Sequence, residues 1–220
     1  MEILKIVGLV VVSYLLGSIP WGFLIGKAKG IDVRKEGSKN IGATNVTRCV
    51  GKWAGKLCFA LDFLKGMIPV LAAQYFLSEK FIDVPEAHKA YVVIAVLFAA
   101  VVGHIFPVFL NFRGGKGIST AAGAIVALNW IALVAALLVW VVVFLVSRYV
   151  SLASIVAAAV LPIVGWVMYL IEPKYCPPLA SSPVVLIFLT IISLVAIIRH
   201  HSNIQRLLKG TENRFGRKSE

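Results

Sequence analysis

A glycine-rich segment built around one lysine carries the clearest chemical signature of the chain. Residues 111–120 read Asn-Phe-Arg-Gly-Gly-Lys-Gly-Ile-Ser-Thr, and apolar stretches stand on both sides of them. Glycines allow backbone N–H groups to approach an anion closely, and the lysine adds a positive charge, so the combination suits a phosphate group. The predicted members of this phosphate site are Lys116, the backbone of Gly114, Gly115 and Gly117, and the hydroxyl groups of Ser119 and Thr120.

The same segment differs from the phosphate-binding loop of nucleotide-hydrolysing proteins. Lys116 is followed by glycine rather than by Ser or Thr, and the position five residues before Gly115 is a leucine. No aspartate-rich segment is available to hold magnesium. We therefore predict phosphate binding without a nucleotide, a metal ion or another cofactor, and a helix that begins near Ile118 would add its N-terminal dipole. A flexible turn is the alternative interpretation of the glycines alone.

Residues 37–48 combine glycines with short polar side chains and one arginine. Their sequence, Gly-Ser-Lys-Asn-Ile-Gly-Ala-Thr-Asn-Val-Thr-Arg, offers hydrogen-bonding side chains at Ser38, Asn40, Thr44 and Asn45. Arg48 closes the segment, and its guanidinium group is a planar fork that matches phosphate or carboxylate oxygens. We predict that these residues bind a phosphorylated substrate. A polar connector that caps the next helix is the alternative.

Two segments near the carboxyl end of the chain have a similar character. Residues 148–154 are predicted to form a short turn in which Ser151 or Ser154 could cap the next helix, which leaves the other serine and Arg148 for function or packing. In residues 199–207, His200 and Asn203 lie three positions apart and so share one face of a helix. The adjacent histidines lack the additional ligands of a metal site. A basic amphipathic helix lying on the membrane is the alternative for this segment.

Several polar positions interrupt the apolar stretches themselves. A Gly-Ser-Ile-Pro sequence at 17–20 breaks the first stretch, and the carbonyl groups freed by such a break must face protein or water. Asp62 and Lys65 are three residues apart and are predicted to pair on one helical face. His104 is interpreted as a hydrogen-bonded structural histidine. Packing alone is the alternative for the break at 17–20, and direct contact with substrate is the alternative for the Asp62–Lys65 pair.

Composition places the chain in a membrane. Hydrophobic residues make up 60% of its 220 residues and charged residues only 15%, whereas soluble domains carry about 25% charged residues. The net charge of +12 is spread between apolar stretches rather than gathered on a polar domain, so we expect membrane lipids and anionic substrates as partners, and no nucleic acid. The three cysteines lack metal-ligand spacing and form no evident disulfide framework.

Seven apolar stretches predict an all-α integral membrane protein with seven transmembrane helices. They cover residues 3–25, 57–77, 91–110, 118–128, 131–147, 152–170 and 184–198. The region 118–147 is too long for one crossing, and Asn129, followed by Trp130, predicts a tight turn that divides it. Residues 1–209 are therefore predicted to form one transmembrane domain, and residues 210–220 a polar cytoplasmic tail that frays.

The distribution of Lys and Arg predicts the orientation. Residues 27–56 contain eight of them and residues 199–220 contain six, so both segments are expected in the cytoplasm. The N-terminus then lies outside and the C-terminus is cytoplasmic. With seven crossings, the glycine-rich segment at 111–120 and the turn at 148–154 also face the cytoplasm.

Nucleophilic catalysis has no evident residues in this sequence. No histidine is followed four residues later by aspartate, the catalytic pair of the soluble glycerolipid acyltransferases, and no Cys–His or Ser–His–Asp set is apparent. The substrate should therefore bring its own activation, and the protein should supply positioning and charge neutralisation.

In this order and spacing, the polar segments resemble those of the bacterial integral-membrane acyl-phosphate:glycerol-3-phosphate acyltransferases. The matching segments are Gly37–Arg48, Asp62–Gly66, Gly103–Thr120, Arg148–Ile155 and His200–Glu212, so that the resemblance covers nearly the whole chain. A small departure is Ile118-Ser119-Thr120, where the family usually has Val-Ala-Thr.

The resemblance implies a seven-helix enzyme of the bacterial cytoplasmic (inner) membrane with its active site on the cytoplasmic side. Such enzymes transfer a fatty acyl group from acyl phosphate to the 1-hydroxyl of sn-glycerol 3-phosphate, giving lysophosphatidic acid and inorganic phosphate, the first step of phospholipid synthesis. Neither a cofactor nor an obligate protein partner is expected. The implied ligands of the glycerol 3-phosphate phosphate are Lys116, Arg48, Ser38, His200 and Asn203.

The same resemblance implies a cradle for the acyl phosphate. It would consist of the amides of residues 40–45, including Thr44, and the backbone of residues 114–117, with Ser151 nearby. Transfer is expected to be direct and independent of metal, and the base is either His200 or the phosphate of the substrate itself.

Other functions remain open at this point. A transporter of phosphorylated solutes also needs basic loops, but it should carry charged groups near mid-membrane and motifs on both sides. A non-catalytic membrane anchor would explain the basic tail but not the donor-rich segments. An acyltransferase that uses acyl-carrier protein or acyl-CoA as donor would keep the reaction class and change one substrate.

Overall fold

The computed structural model describes residues 1–171 and 182–215, and every regular element in these ranges is a helix. The helices are α1 (Glu2–Ser18), α2 (Trp21–Ala28), α3 (Ala43–Cys49), α4 (Lys52–Ser78), α5 (Glu86–Ile105), α6 (Ile118–Leu128), α7 (Trp130–Ser147), α8 (Val150–Ile171), α9 (Pro183–Ile198) and α10 (His201–Leu208), with a 3-10 turn at Val108–Leu110. The chain divides into two compact units, Met1–Leu128 and Asn129–Glu220. That residues 1–209 form one transmembrane domain stays a prediction.

Glycines let the helices of the first unit approach one another closely. In α4, a β-carbon on Gly66 would overlap the carbonyl oxygen of Thr120 in α6, and one on Gly123 of α6 would overlap the carbonyl oxygen of Phe63. Gly17 of α1 is pressed against α5 in the same way. Small residues at such positions are typical of helix pairs in membranes, because association there depends on close van der Waals packing. The result is close packing of α4 against α6 and of α1 against α5.

The break between α1 and α2 is stabilised by a charged side chain. Ile19 and Pro20 interrupt the helix, and the Ile19 carbonyl accepts a hydrogen bond from Lys65 Nζ at 2.9 Å. The expectation that the broken span needs a partner for its carbonyls is thus confirmed for this carbonyl.

The loop between α2 and α3 folds onto a small apolar core. Its buried members are Val33, Ile41, Val46, Cys58 and Leu110. A β-carbon on Gly22 would overlap the carbonyl oxygen of Ile41, so the glycine lets this loop lie directly on α2. The loop that carries the polar residues of 37–48 is therefore fixed by its packing against α2 and this apolar core.

In the second unit, α8 packs between α7 and α9. Indole N–H groups connect these helices: Trp140 Nε1 donates to Ser154 Oγ at 3.1 Å, and Trp166 Nε1 donates to Thr190 Oγ1 at 3.2 Å. The predicted turn before α7 is confirmed, since α6 ends at Leu128 and Asn129 caps α7 by accepting from the Ala132 N–H at 3.0 Å. A side-chain cap of this kind is a strong local signal for a helix start.

Five helical spans in the described residues are long and apolar enough to cross a membrane. The bent pair α9–α10, with 53° between the helices, would be a sixth, while α6 is shorter than a usual crossing. The chain is therefore a multi-pass membrane protein, and the count of seven crossings and the orientation of the termini stay predictions.

The described part of the C-terminal tail makes contacts that its polar composition did not predict. The Phe215 N–H donates to the Arg148 carbonyl at 2.8 Å, and the Phe215 ring packs edge-on against Phe144 with centroids 5.4 Å apart. Polar composition concealed these contacts, because they depend on a turn more than 60 residues earlier in the chain. Residues 216–220 lie outside the described residues.

Candidate active site

Asn45 organises the loop that carries the first group of predicted ligands. Its Oδ1 accepts from the Ser38 N–H at 2.8 Å, and its Nδ2 donates to the carbonyls of Val33, Glu36 and Asn40 at 2.9, 3.1 and 2.9 Å. The side chain is only 1% exposed. Asn45 was predicted to touch substrate, but its amide is engaged by the loop itself. Within the loop, it bonds the backbone of Ser38 and of Asn40.

Arg48 projects from the same short helix as Asn45. The Asn45 Oδ1 and the Arg48 δ-carbon both lie beside Gly37, where a β-carbon would overlap the former. Gly37 has a φ of +57°, a left-handed conformation that suits glycine. Three of the predicted ligands, Ser38, Thr44 and Arg48, are exposed. Asn40 is half-buried, and its Oδ1 accepts from the Gly42 N–H at 2.8 Å.

Replacing Asn45 with aspartate should destabilise this loop. The carboxylate would face three carbonyl oxygens without an N–H to donate, and unpaired buried polar groups cost about 1–3 kcal/mol each. We expect the unfolding midpoint in detergent to fall by roughly 4–8 °C, which corresponds to about 2 kcal/mol for a chain of this size. Asn40→Ala, which removes only the bond to Gly42, should lower the midpoint by less than half as much. Equal shifts in the two variants would contradict the role assigned to Asn45.

The glycine-rich segment folds back along the end of α5. The Gly114 N–H donates to the Ile105 carbonyl and the Gly115 N–H to the His104 carbonyl, both at 3.1 Å. These two amides are thus not the free donors that the sequence suggested, because they satisfy carbonyls left unpaired at the helix terminus. Their place in the substrate site stays a prediction. Their structural role is to pin the residues that precede Lys116.

Lys116 lies two residues before α6. That helix begins at Ile118, as predicted, so the lysine lies next to the positive end of the helix dipole. Gly117 has a φ of +82°, which turns the chain between Lys116 and the helix. Lysine charge and helix dipole both favour an anion here. Lys116 and the N-terminus of α6 together are therefore suited to an anion.

Thr120 was predicted as a member of the phosphate site, but its side chain contacts His104. Its side chain is fully buried, and Oγ1 lies 3.1 Å from His104 Nδ1. The predicted pairing within α4 is confirmed, with Lys65 Nζ 2.9 Å from Asp62 Oδ1. The same carboxylate oxygen lies 3.7 Å from His104 Nδ1. His104 is hydrogen-bonded within the protein, as its interpretation as a structural histidine predicted.

In the second unit, Glu212 accepts hydrogen bonds from side chains of two helices, α8 and α10. Its Oε1 accepts from Ser151 Oγ at 2.7 Å and from Asn203 Nδ2 at 2.6 Å, and its Oε2 accepts from Arg206 Nε at 2.7 Å. The Glu212 side chain is only 7% exposed. Ser151 and Asn203 were both predicted as site residues, and they meet through a glutamate that sequence reasoning did not single out. The available signal was the carboxylate of Glu212 in a predominantly basic tail.

His200 is held at the junction of α9 and α10. The ring is buried, and its Nδ1 lies 2.8 Å from the Ala196 carbonyl oxygen. A carbonyl only accepts, so this contact places a proton on Nδ1. In the neutral form of the ring, Nε2 then carries the lone pair, as a general base or an acceptor requires.

Acidification should loosen the Glu212 cluster. Burial alone would raise the pKa of Glu212, but hydrogen bonds from Ser151, Asn203 and Arg206 more than offset it and lower the pKa below its ordinary value of 4.5. The stabilisation is therefore complete above pH 4.5 and is lost as the pH falls through the lowered pKa. We expect the wild-type protein to unfold at a higher temperature than Glu212→Gln at pH 7, with the gap narrowing below pH 4.5. An equal difference in unfolding temperature between the two proteins at pH 7 and pH 3.5 would contradict the stabilising role of the Glu212 carboxylate.

The described structure thus places the predicted residues in three groups. Ser38, Asn40, Thr44, Asn45 and Arg48 share one loop and helix; Gly114, Gly115, Lys116 and Gly117 form the turn before α6; Ser151, His200 and Asn203 belong to the second unit. Each group presents cations or hydrogen-bond donors, the chemistry that binds phosphate oxygens.

Comparison with known proteins gives consistent matches along nearly the whole chain. The family model described as glycerol-3-phosphate acyltransferase matches residues 7–210. The glycerol-3-phosphate acyltransferase of Trichlorobacter lovleyi is 47% identical over 203 residues, which cover 92% of this chain and 94% of the relative. That of Aquifex aeolicus is 44% identical over 213 residues, which cover 96% and 100% of the two chains.

Comparison with solved structures indicates the same family. The crystal structure of PlsY, an integral membrane glycerol 3-phosphate acyltransferase, in its glycerol 3-phosphate form is 42% identical, with a TM-score of 0.81 over 96% of both chains. The lysophosphatidic acid form gives a TM-score of 0.78 with the same coverage. The chain therefore belongs to the glycerol-3-phosphate acyltransferase family of integral membrane enzymes.

Proposed function

We propose that this protein transfers a fatty acyl group from acyl phosphate to the 1-hydroxyl of sn-glycerol 3-phosphate. The products are lysophosphatidic acid and inorganic phosphate. Solved relatives of the same fold exist in a glycerol 3-phosphate form and a lysophosphatidic acid form, which supports the acceptor and the product. The observation that carries the proposal in this chain is Lys116, placed on a pinned glycine turn at the positive end of α6.

Direct transfer suits the residues that the site offers. Cys49, next to Arg48, is the thiol nearest to the predicted ligands in sequence, but burial raises its pKa, so that it is a poor nucleophile near neutral pH. An acyl phosphate is a mixed anhydride, and its phosphate is already a good leaving group. Positioning and charge neutralisation can therefore provide most of the rate enhancement.

The reaction forms one ester bond and breaks one anhydride bond. The 1-hydroxyl oxygen of glycerol 3-phosphate attacks the acyl carbonyl carbon, the carbon–oxygen bond to phosphate breaks, and the phosphate leaves with the bonding electrons. The hydroxyl proton passes either to the departing phosphate or to His200 Nε2. In the proposal, Arg48 and Lys116 neutralise phosphate charge, while Ser38 and Asn40 donate hydrogen bonds from the loop that Asn45 holds.

Further assignments extend the proposal. Thr44 and the turn of Gly114, Gly115 and Gly117 contact the acyl phosphate, and Ser151, His200 and Asn203 contact substrate phosphates. The chain crosses the bacterial inner membrane seven times with its N-terminus outside, and the site faces the cytoplasm, where the basic segments lie. No metal or other cofactor and no obligate protein partner takes part.

Phosphate release from palmitoyl phosphate by the purified protein, with and without glycerol 3-phosphate, tests this function. Release that depends on glycerol 3-phosphate, continues in the presence of a chelator and yields lysophosphatidic acid would support both the reaction and the donor. Turnover only with acyl-CoA or acyl-carrier protein would overturn the donor. Inactivity with all three donors, from folded protein, would contradict the proposed reaction and direct attention to solute-flux assays.

A further inference from the structure

The end of α5 and the turn that carries Lys116 are joined around one residue, His104. The His104 carbonyl accepts the Gly115 N–H, and the neighbouring Ile105 carbonyl accepts the Gly114 N–H. The imidazole also stands directly against Gly115, because a β-carbon at that glycine would overlap His104 Nε2. Backbone and side chain of His104 therefore contact the residue immediately before Lys116.

The imidazole is itself held from two other helices. Its Nδ1 lies 3.1 Å from Thr120 Oγ1 in the first turn of α6 and 3.7 Å from Asp62 Oδ1 in α4. The three residues are between 0% and 4% exposed. Thr120 follows Lys116 by four residues and Gly115 precedes it by one, so His104 touches the chain on both sides of the lysine.

Asp62 continues this polar cluster to the broken first span. It pairs with Lys65 Nζ at 2.9 Å, and Lys65 donates to the Ile19 carbonyl at 2.9 Å. Charged pairs buried among membrane helices are costly, and replacing such a pair with apolar residues is often neutral or stabilising. Stability alone is thus a weak reason for placing four polar side chains here. A requirement for one fixed loop geometry is a better one.

We propose that His104, held by Thr120 and Asp62, is a positioning residue for acyl transfer: it sets the geometry of the Gly114–Gly117 turn and thereby the position of the Lys116 ammonium group. The inference rests on the proposed function, in which Lys116 binds substrate phosphate. Lysine has a flexible four-carbon stem, and a turn with three glycines adds backbone freedom. Misplacement of a catalytic group by about 1 Å can lower the rate about 100-fold. The backbone that carries the Lys116 side chain therefore needs a fixed position.

Thr120→Val provides the test, because it removes one buried hydroxyl group at nearly constant volume. We expect kcat/KM for glycerol 3-phosphate to fall about tenfold, a moderate share of the cost of a misplaced group. The conservative variant Thr120→Ser keeps the hydroxyl and should recover most of that loss. A wild-type kcat/KM in folded Thr120→Val would overturn the proposal, as would an equal loss in the valine and serine variants.

A double-mutant cycle with Lys116→Ala separates positioning from general weakening of the fold. If His104 and Thr120 act through Lys116, Thr120→Val should lower kcat/KM by less than about twofold in the Lys116→Ala background. The reason is that substitutions in residues that act as one unit do not have additive effects. The same tenfold loss in both backgrounds would overturn the inference. If turnover of Lys116→Ala falls below detection, titration of glycerol 3-phosphate binding by calorimetry completes the cycle.

A second variant keeps the proposal testable if Thr120→Val does not fold. His104→Asn keeps an amide near the position of Nδ1 for Thr120 but removes the ring edge that stands against Gly115. It should show the same dependence on Lys116, and full activity in it would overturn the proposal. Wild-type activity of Lys116→Ala itself would instead contradict the assignment of Lys116 in the proposed function, so the two failures are distinguishable.

Discussion

Replacement of Lys116 with alanine is expected to lower kcat/KM at least about 100-fold, the scale of losing one charge-stabilising donor. The ammonium group stands at the positive end of α6, on a turn whose preceding amides are bonded to the end of α5. Its contribution should grow as charge moves onto the leaving phosphate, so kcat should fall together with kcat/KM. Steady-state kinetics with palmitoyl phosphate and glycerol 3-phosphate measure both constants.

Lys89→Ala is the matched control for this prediction. It removes the same charge from the first turn of α5, at the opposite end of that helix from His104, where the lysine pairs with Glu86 at 2.7 Å. We expect its activity to stay within about twofold of wild type, as is usual for exposed ion pairs. A change of less than fivefold in Lys116→Ala would remove Lys116 from the site.

Arg48→Ala is the second substitution for which we expect a loss of about 100-fold in kcat/KM. Arg48 is exposed on α3, beside the Gly37–Ser38 turn that Asn45 holds in place. Arg48→Lys keeps the charge but loses the planar fork that can bind two phosphate oxygens at once. The lysine variant should therefore fall between the alanine variant and the wild type, with a loss of roughly tenfold, the worth of one charged hydrogen bond.

Arg34→Ala is the control within the same loop. Its guanidinium is already engaged, with Nη2 2.9 Å from Asp32 Oδ2 and the group stacked 4.4 Å from the centroid of Phe23. Loss of this exposed pair should change kcat/KM by less than about twofold. Equal losses in Arg34→Ala and Arg48→Ala would indicate that net loop charge, rather than a specific contact by Arg48, supports the reaction.

Local patterns were sufficient to predict most of the helices. Apolar stretches of about 20 residues report burial in lipid whatever their partners are, so their positions can be read from the sequence. The boundary at Asn129 was equally accessible, since a helix cap uses groups within four residues of one another. The start of α6 after Gly117 followed from the glycines themselves.

Sequence also indicated which segments carry the chemistry. Lysine, arginine, histidine and short polar side chains in membrane-edge loops are costly or unusual there, so their presence alone marks a site. Their chemical type predicted phosphate as the ligand. What the sequence could not assign was which of these polar groups bind substrate and which bind the protein.

Only the tertiary structure shows which of these groups are already engaged within the protein. Asn45 is engaged by three loop carbonyls, Thr120 by a histidine 16 residues earlier, and Ser151 by a glutamate 61 residues later. Helical periodicity shows which face of a helix is polar, but it does not identify the group that meets that face. The sequence therefore determined the membrane helices and the phosphate chemistry, while packing between distant segments determined which polar side chains are engaged within the protein.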